Sequence, residues 1–535
     1  MKKIFKYLLA FLTAISVTSC TDDFEKINSS PDGVTEQSLT QLNNHIGGEF
    51  QPMFFNVFNV TPAWNYQLQQ GLMGDVFSGY MTAPTPFAGN INNQTYALVD
   101  GWNGFPWSDA YGNVMPQALN VKKAIENAND PSGDKFIYLA NIIKITAMHR
   151  VSDIYGPIRY TKYEDNDTTG EYDSQEVAYK AFFDDLGAAI DGLKAFEGEI
   201  QFLPFDKSSF GGDISKWRQF ANSLRLRLAI RISKVDPTLA KTQGELALAS
   251  NAGLMENSDM IINTGFPHPI VTISGSWGDV RMGAEMESIL TGYNDGRIEK
   301  YFAPATDPNF TGTYKGIRMG IDIQAKSQYV ALSSIGTDKQ GKAISGTVLE
   351  DETITWMTAA EVHFLKAEAA LRGWSGAGNA QTNYEAGVTA SFTQHEVDGV
   401  SDYLADNTST PADFVDALFS VNNIAYASDV KIAYDAAGTN EEQLEQIITQ
   451  KWIAMFPDGQ EAWSEFRRTG YPRIFPVVVN NSGGTIDTDT QIRRINFVAN
   501  EINTNGANVT TAIGYLNGPD NGGTRLWWDI GGPNF

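Results

Sequence analysis

Cysteine is almost absent: Cys20 is the single thiol in 535 residues. One thiol excludes an intrachain disulfide and any cysteine-rich metal site. Histidine is nearly as scarce. His45, His149, His268, His363 and His395 form no H-E-x-x-H and no close pair, so a zinc hydrolase would lack its ligands, and each reads as a core or surface residue. No G-x-S-x-G is present for a serine hydrolase. No stretch reaches ~18 consecutive apolar residues, which excludes a membrane-spanning helix. Positive charge is in short supply: 39 Lys and Arg stand against 63 Asp and Glu, a net charge of −24. A field of that sign repels phosphates, so nucleic acid is excluded as a partner. Gly336 to Ala343 approaches a phosphate-binding loop, but Ala343 supplies no hydroxyl for Mg²⁺ and no helix signal follows. No cofactor is implied.

What the chain does contain is 42% hydrophobic residues and 12% aromatic ones. That supply fills a large core and leaves rings for a surface. The first residues are the most informative. Lys2, Lys3 and Lys6 precede a short apolar run, and Val17-Thr18-Ser19-Cys20 has the form of a bacterial lipobox. Residues 1–19 therefore read as a lipoprotein signal peptide, with Cys20 the lipidated residue. Residues 20–40 read as its polar tether, and residues 41–535 as the folded part. The acidic Asp22-Asp23-Phe24-Glu25 resembles a surface-export signal, and its polarity also suits a plain tether.

Most of the remainder is patterned as helix. Lys135 to Val151 is apolar on nearly every side and reads as a buried helix. Asp173 or Ser174 can cap the next helix, with Glu176 completing a capping box. Ser215 caps another, and Thr358 to Leu371 and Glu441 to Met455 are clear later helices. Residues 61–107, 256–283, 303–350, 397–440 and 480–535 read as long loops with short strands. Asp165 to Glu176 places oxygen side chains at the spacing of a calcium loop, but Gly156-Pro157 breaks any entering helix. An acidic loop running into a capped helix is the simpler account.

A set of motifs, in order, resembles the SusD/RagB lipoproteins of Bacteroidetes. They are Asp153 to Tyr160, Tyr172 to Glu176, Gly212 to Arg231, Asn294 to Ile298, Glu361 to Ala369, Gln450 to Trp452, Glu465 to Pro472 and Leu526 to Asp529. Gly296 departs from the proline common in the family before Arg297, and glycine still forms the turn. The resemblance implies a mostly α fold: a tetratricopeptide-like scaffold of helix pairs, with a long, loop-rich, partly β region that binds ligand. It also implies an outer-membrane lipoprotein facing the cell exterior, with no catalytic activity. Such a protein binds a nutrient, in most members a glycan or oligosaccharide and in some a peptide. It delivers that nutrient to a SusC-type TonB-dependent transporter. A surface-anchored glycoside hydrolase is the alternative, because 63 acidic residues always contain some pair of carboxylates.

Sugar rings present apolar C–H faces that flat aromatic side chains match, with polar groups fixing their orientation. Two loops meet that description. Tyr96 to Tyr111 carries Trp102, Trp107 and Asp109, and Ser274 to Arg281 carries Trp277, Asp279 and Arg281. Trp217, Trp452, Trp463, Trp527 and Trp528 lie in motifs that look like packing and are left out.

Overall fold

A computed structural model describes residues 43–129, 131–163, 169–336 and 352–535. Cys20, the signal peptide, the 20–40 tether, Asp165 to Thr168 of the calcium-like loop and residues 337–343 of the phosphate-loop-like stretch lie outside the described residues. Among these residues nine helices run for 11 to 22 residues: α1 Met115–Ala128, α2 Asp134–Tyr155, α3 Gln175–Gly192, α4 Ile214–Arg231, α5 Pro237–Ala249, α6 Ala359–Leu371, α7 Ala380–Gln394, α8 Asn440–Ala454 and α9 Gly459–Thr469. Chain neighbours pack as pairs, α2 on α3, α4 on α5 and α6 on α7, and α3, α4 and α6 continue the contact from pair to pair. Pairing buries apolar stripes that no isolated helix could hide. The strands are few and short. β1 (Met81–Thr82) pairs antiparallel with β3 (Arg281–Met282), and β2 (Met260–Asn263) with β4 (Thr353–Met357). Residues Glu49–Phe535 form one compact unit, and Asn44–Gly47 form a short helix in the unit that precedes it. No helix among the described residues is long and apolar enough to cross a membrane.

Local chemistry sets the helix boundaries. The expected burial of α2 is complete at Leu139, Ile142, Ile143, Ile145 and Met148, each 0% exposed. The cap of α3 is Ser174, which accepts from the Val177 amide. Asp173 instead accepts from the amides of Tyr160 and Thr161 and from the Thr161 hydroxyl. Glu176 is thereby one residue too early for a capping box and pairs with Lys180. The cap of α4 is Asp213 rather than Ser215: its carboxylate accepts from the amides of Ser215 and Lys216. An anionic oxygen at a helix N-terminus satisfies free amides and the helix dipole together.

The scaffold buries charge as well as rings. Arg227 and Arg231 of α4 meet Glu361 of α6 and Glu461 and Glu465 of α9. Arg468 joins Glu465 to Glu368, and Asp153 of α2 lies 3.3 Å from Arg231. Burial raises the affinity of Glu461 for a proton, and Arg231, Arg227 and Lys451 overcome it, leaving the carboxyl at about 2. Trp217, Trp452, Trp463 and Trp528 are 0% exposed, and Trp527 is half-buried.

Candidate ligand-binding site

The chain leaves the core at Pro62 and makes one helical turn, Ala63–Tyr66, followed by a π-helical turn, Gln67–Gly71. A second π-helical turn, Val271–Ser276, leads into Trp277. Such turns are rare and frequent at functional sites, because the widened ring redirects side chains. The first π-turn is tied to the scaffold just downstream. The short helix Gly74–Phe77 lies against the start of α9 so closely that a Cβ at Gly74 would fall 2.7 Å from the Gln460 amide nitrogen.

Hydrogen bonds join the two turns across the sequence. Gln67 Nε2 donates to Asp279 at 3.3 Å, and Thr85 Oγ1 donates to the same carboxylate at 2.7 Å. Lys326 Nζ donates to Asp279 and to the Trp277 carbonyl. Arg281 is 7% exposed and spends its donors on the carbonyls of Val330, Ser274 and Val280. Burial pushes its guanidinium down to about 10, against the pull of Asp279. On the other side Asp109, 6% exposed, accepts from Asn65 and Gln69. Burial pushes that carboxyl up to about 6, opposed by the Asn65 hydrogen bond. The two loops singled out in the sequence thus meet through the Gln67 turn. Asp109 braces that turn from one side and Asp279 from the other.

The aromatic side chains divide sharply. Trp107 is 4% exposed, stacked on Tyr172 with centroids 5.7 Å apart, beside Tyr111 and edge-on to Tyr155. Its faces are covered by protein, so it packs the loop down instead of offering a platform. Trp277 is 38% exposed. Trp102 is half-buried with Phe87 edge-on at 5.7 Å, and its short helix Asp100–Asn103 packs on the Gln67 turn. Trp64, 47% exposed and edge-on to Phe105, sits on the turn Ala63–Tyr66 that packs against Val271–Ser276, and it was not among the candidates read from the sequence. It lies within residues 61–107, which read as loop, but exposure has no signature in one sequence.

No group of three or more metal-ligating side chains occurs among the described residues. What the face offers is exposed indole rings on a hydrogen-bonded frame, with carboxylates and amides beside them. It can hold a flat apolar surface that also carries hydroxyls.

Comparison with known proteins places this face in context. The sequence pattern of the SusD-like family, the SusD and RagB outer membrane lipoproteins, matches residues 26–529. A chitin-binding SusD homologue from Flavobacterium johnsoniae is 49% identical, with a TM-score of 0.86, over 92% of this chain and 100% of its own. A SusD homologue from Bacteroides vulgatus is 36% identical, TM-score 0.85, over 94% and 100% of the two chains. A SusD-like protein from Bacteroides thetaiotaomicron is 34% identical, TM-score 0.82, over 91% and 99%. The helix-pair scaffold, the order of the motifs and these matches together establish that the chain belongs to the SusD/RagB family of nutrient-binding outer-membrane lipoproteins.

Proposed function

We propose that the protein is a surface lipoprotein, held to the outer membrane through Cys20 and facing outward, that captures a glycan and passes it to a SusC-type TonB-dependent transporter. The face formed by Trp64, Trp102 and Trp277 receives the ligand. Asp279 borders it, while Trp107, Asp109 and Arg281 hold it in shape. The protein binds its ligand without cleaving it. The single observation that carries this reading is the exposed Trp277 ring on a loop whose backbone is pinned by Lys326 and Arg281. A rigid, half-exposed indole loses little entropy when a sugar stacks on it. The chitin-binding relative supports β-linked N-acetylglucosamine oligomers as the first ligands to test.

Calorimetry or affinity electrophoresis on a glycan panel tests capture. Trp277→Ala should lose ~2 kcal/mol of binding, about thirtyfold in affinity, with an unchanged melting temperature. Binding unaffected by that substitution removes Trp277 from the site. A tagged chain pulled down in mild detergent should bring a TonB-dependent transporter with it, and recovery of none counts against delivery.

A further inference from the structure

A cavity of about 390 Å³ is lined by Tyr66, His268, Asp259, Trp356 and Phe456 among others. That volume lies within the roughly 300–1,000 Å³ range of small-molecule pockets. Trp64 and Tyr66 share one helical turn: the first ring is exposed, and the second is 2% exposed and lines the cavity. Gln394 Oε1 and His395 Nε2, both in its lining, are buried with no hydrogen-bond partner among the described residues, and two further donors form no hydrogen bond either. One is the hydroxyl of Tyr66. The other is Nε2 of His268, a side chain 5% exposed. His268 Nδ1 accepts from the Ile270 amide at 3.2 Å, so in the neutral ring Nε2 carries the hydrogen and is a donor. Burial holds that ring neutral. The two rings meet edge-on at 5.3 Å, which fixes both groups in place.

Donors that open onto a cavity without a protein partner are left for water or a ligand to satisfy. The lining also supplies acceptors. Asp259 accepts from the Ala359 amide through Oδ1 and forms no ion pair among the described residues. Asp458 also lines the cavity, its charge taken by Arg150. No lysine or arginine lines the space. Trp356, Phe456 and Phe58 supply apolar surface. A ligand that fits must both accept and donate hydrogen bonds, present an apolar face and carry no negative charge.

We infer that this cavity, whose lining includes none of Trp64, Trp102 and Trp277, is a second ligand site that takes one uncharged, hydroxyl-bearing sugar ring among Tyr66, His268 and Asp259. It deepens the glycan reading and rests on it for the choice of probe. Saturation-transfer NMR on the full chain tests it with N-acetylglucosamine, with glucuronate as the anionic comparison and an N-acetylglucosamine hexamer as the ligand of the outer face. The monomer should bind and glucuronate should not. Tyr66→Phe keeps the ring and removes one hydroxyl, and should weaken the monomer about tenfold. His268→Ala should act likewise. All of these are measured in the Trp277→Ala background, which removes stacking on the outer face, and the monomer should still bind there. No binding of the monomer, equal binding of glucuronate, or monomer binding that survives both cavity variants overturns the inference, as does monomer binding lost with Trp277. Failure of the outer-face reading shows separately, as hexamer binding indifferent to Trp277→Ala.

Discussion

In the scaffold, Arg227, Arg231 and Arg468 each meet carboxylates that are themselves buried, 2% exposed at most. In the loop face, Arg281 meets only backbone carbonyls, and Lys326 divides itself between a carbonyl and Asp279. The first arrangement cancels charge against charge between helices. The second uses cations to hold loop backbone in place and leaves the rings beside them open. A helix can bond its own backbone, so its side chains are free to pair across the core. A loop cannot, so buried cations satisfy its carbonyls. Scaffold packing and the proposed recognition therefore rest on different residues of similar chemistry, and substitutions should separate them.

The largest effect is expected in the scaffold. Arg231→Met leaves Asp153, Glu461 and Glu465 buried with one cation fewer, and breaking such a network costs about 3–5 kcal/mol. Urea unfolding should report that loss. A variant as stable as the parent would mean that the remaining cations, Arg227, Lys451 and Arg468, suffice.

Trp107→Ala should behave like the scaffold although it lies in the loop region, losing about 3–5 kcal/mol of stability as a large buried ring. A binding defect with unchanged melting temperature would return Trp107 to the ligand face and blur the division.

Asp109 gives a smaller, pH-dependent effect. Its folded carboxyl titrates near 6, above the unfolded value of 3.8, so the folded state holds a proton that the unfolded state releases first. Stability from this group is full below 3.8 and falls as pH rises to about 6, by up to about 3 kcal/mol. Asp109→Asn should flatten that slope in thermal melts between pH 4 and 6. An unchanged slope would take Asp109 out of the titrating braces.

Much of the scaffold was legible because its signals are local. An apolar run such as Ile142-Ile143 within α2 admits few readings, and Thr439 with Glu442 closes a capping box on α8 just where the later helix was placed. Caps were legible only to within two residues, since Asp173, Ser174, Asp213 and Ser215 are all competent and tertiary bonds choose among them. The candidate face was legible in part. Both loops were found from their aromatic content, but what joins them, Gln67 to Asp279, spans 212 residues and leaves no local trace. Proline and glycine made residues 61–107 read as loop, yet Phe105–Asn113 is a helix with Pro106 in its first turn, where proline is tolerated. That helix turns Trp107 and Asp109 inward, so two candidates chosen for a surface serve beneath it.

Lys326 offers the finest test of the division, because its pair with Asp279 is neither buried nor free: the two side chains are 33% and 15% exposed. A pair with that access to water is screened, and breaking it should cost about 1 kcal/mol or less. Lys326→Met keeps the aliphatic stem and removes the ammonium that holds the Trp277 carbonyl and Asp279. Stability should hardly change, since Arg281 still binds the carbonyls of Ser274 and Val280. Affinity for the oligosaccharide should fall by about fivefold, as Trp277 regains motion that binding must then remove. Removal of the charge also lets the two causes be told apart. A loss that persists in Lys326→Arg points to the geometry of the ammonium contact, and recovery in that variant points to positive charge near Asp279. Unchanged affinity in Lys326→Met would show that Arg281 alone orders the loop, and the frame of the site would then be buried in the same way as the scaffold.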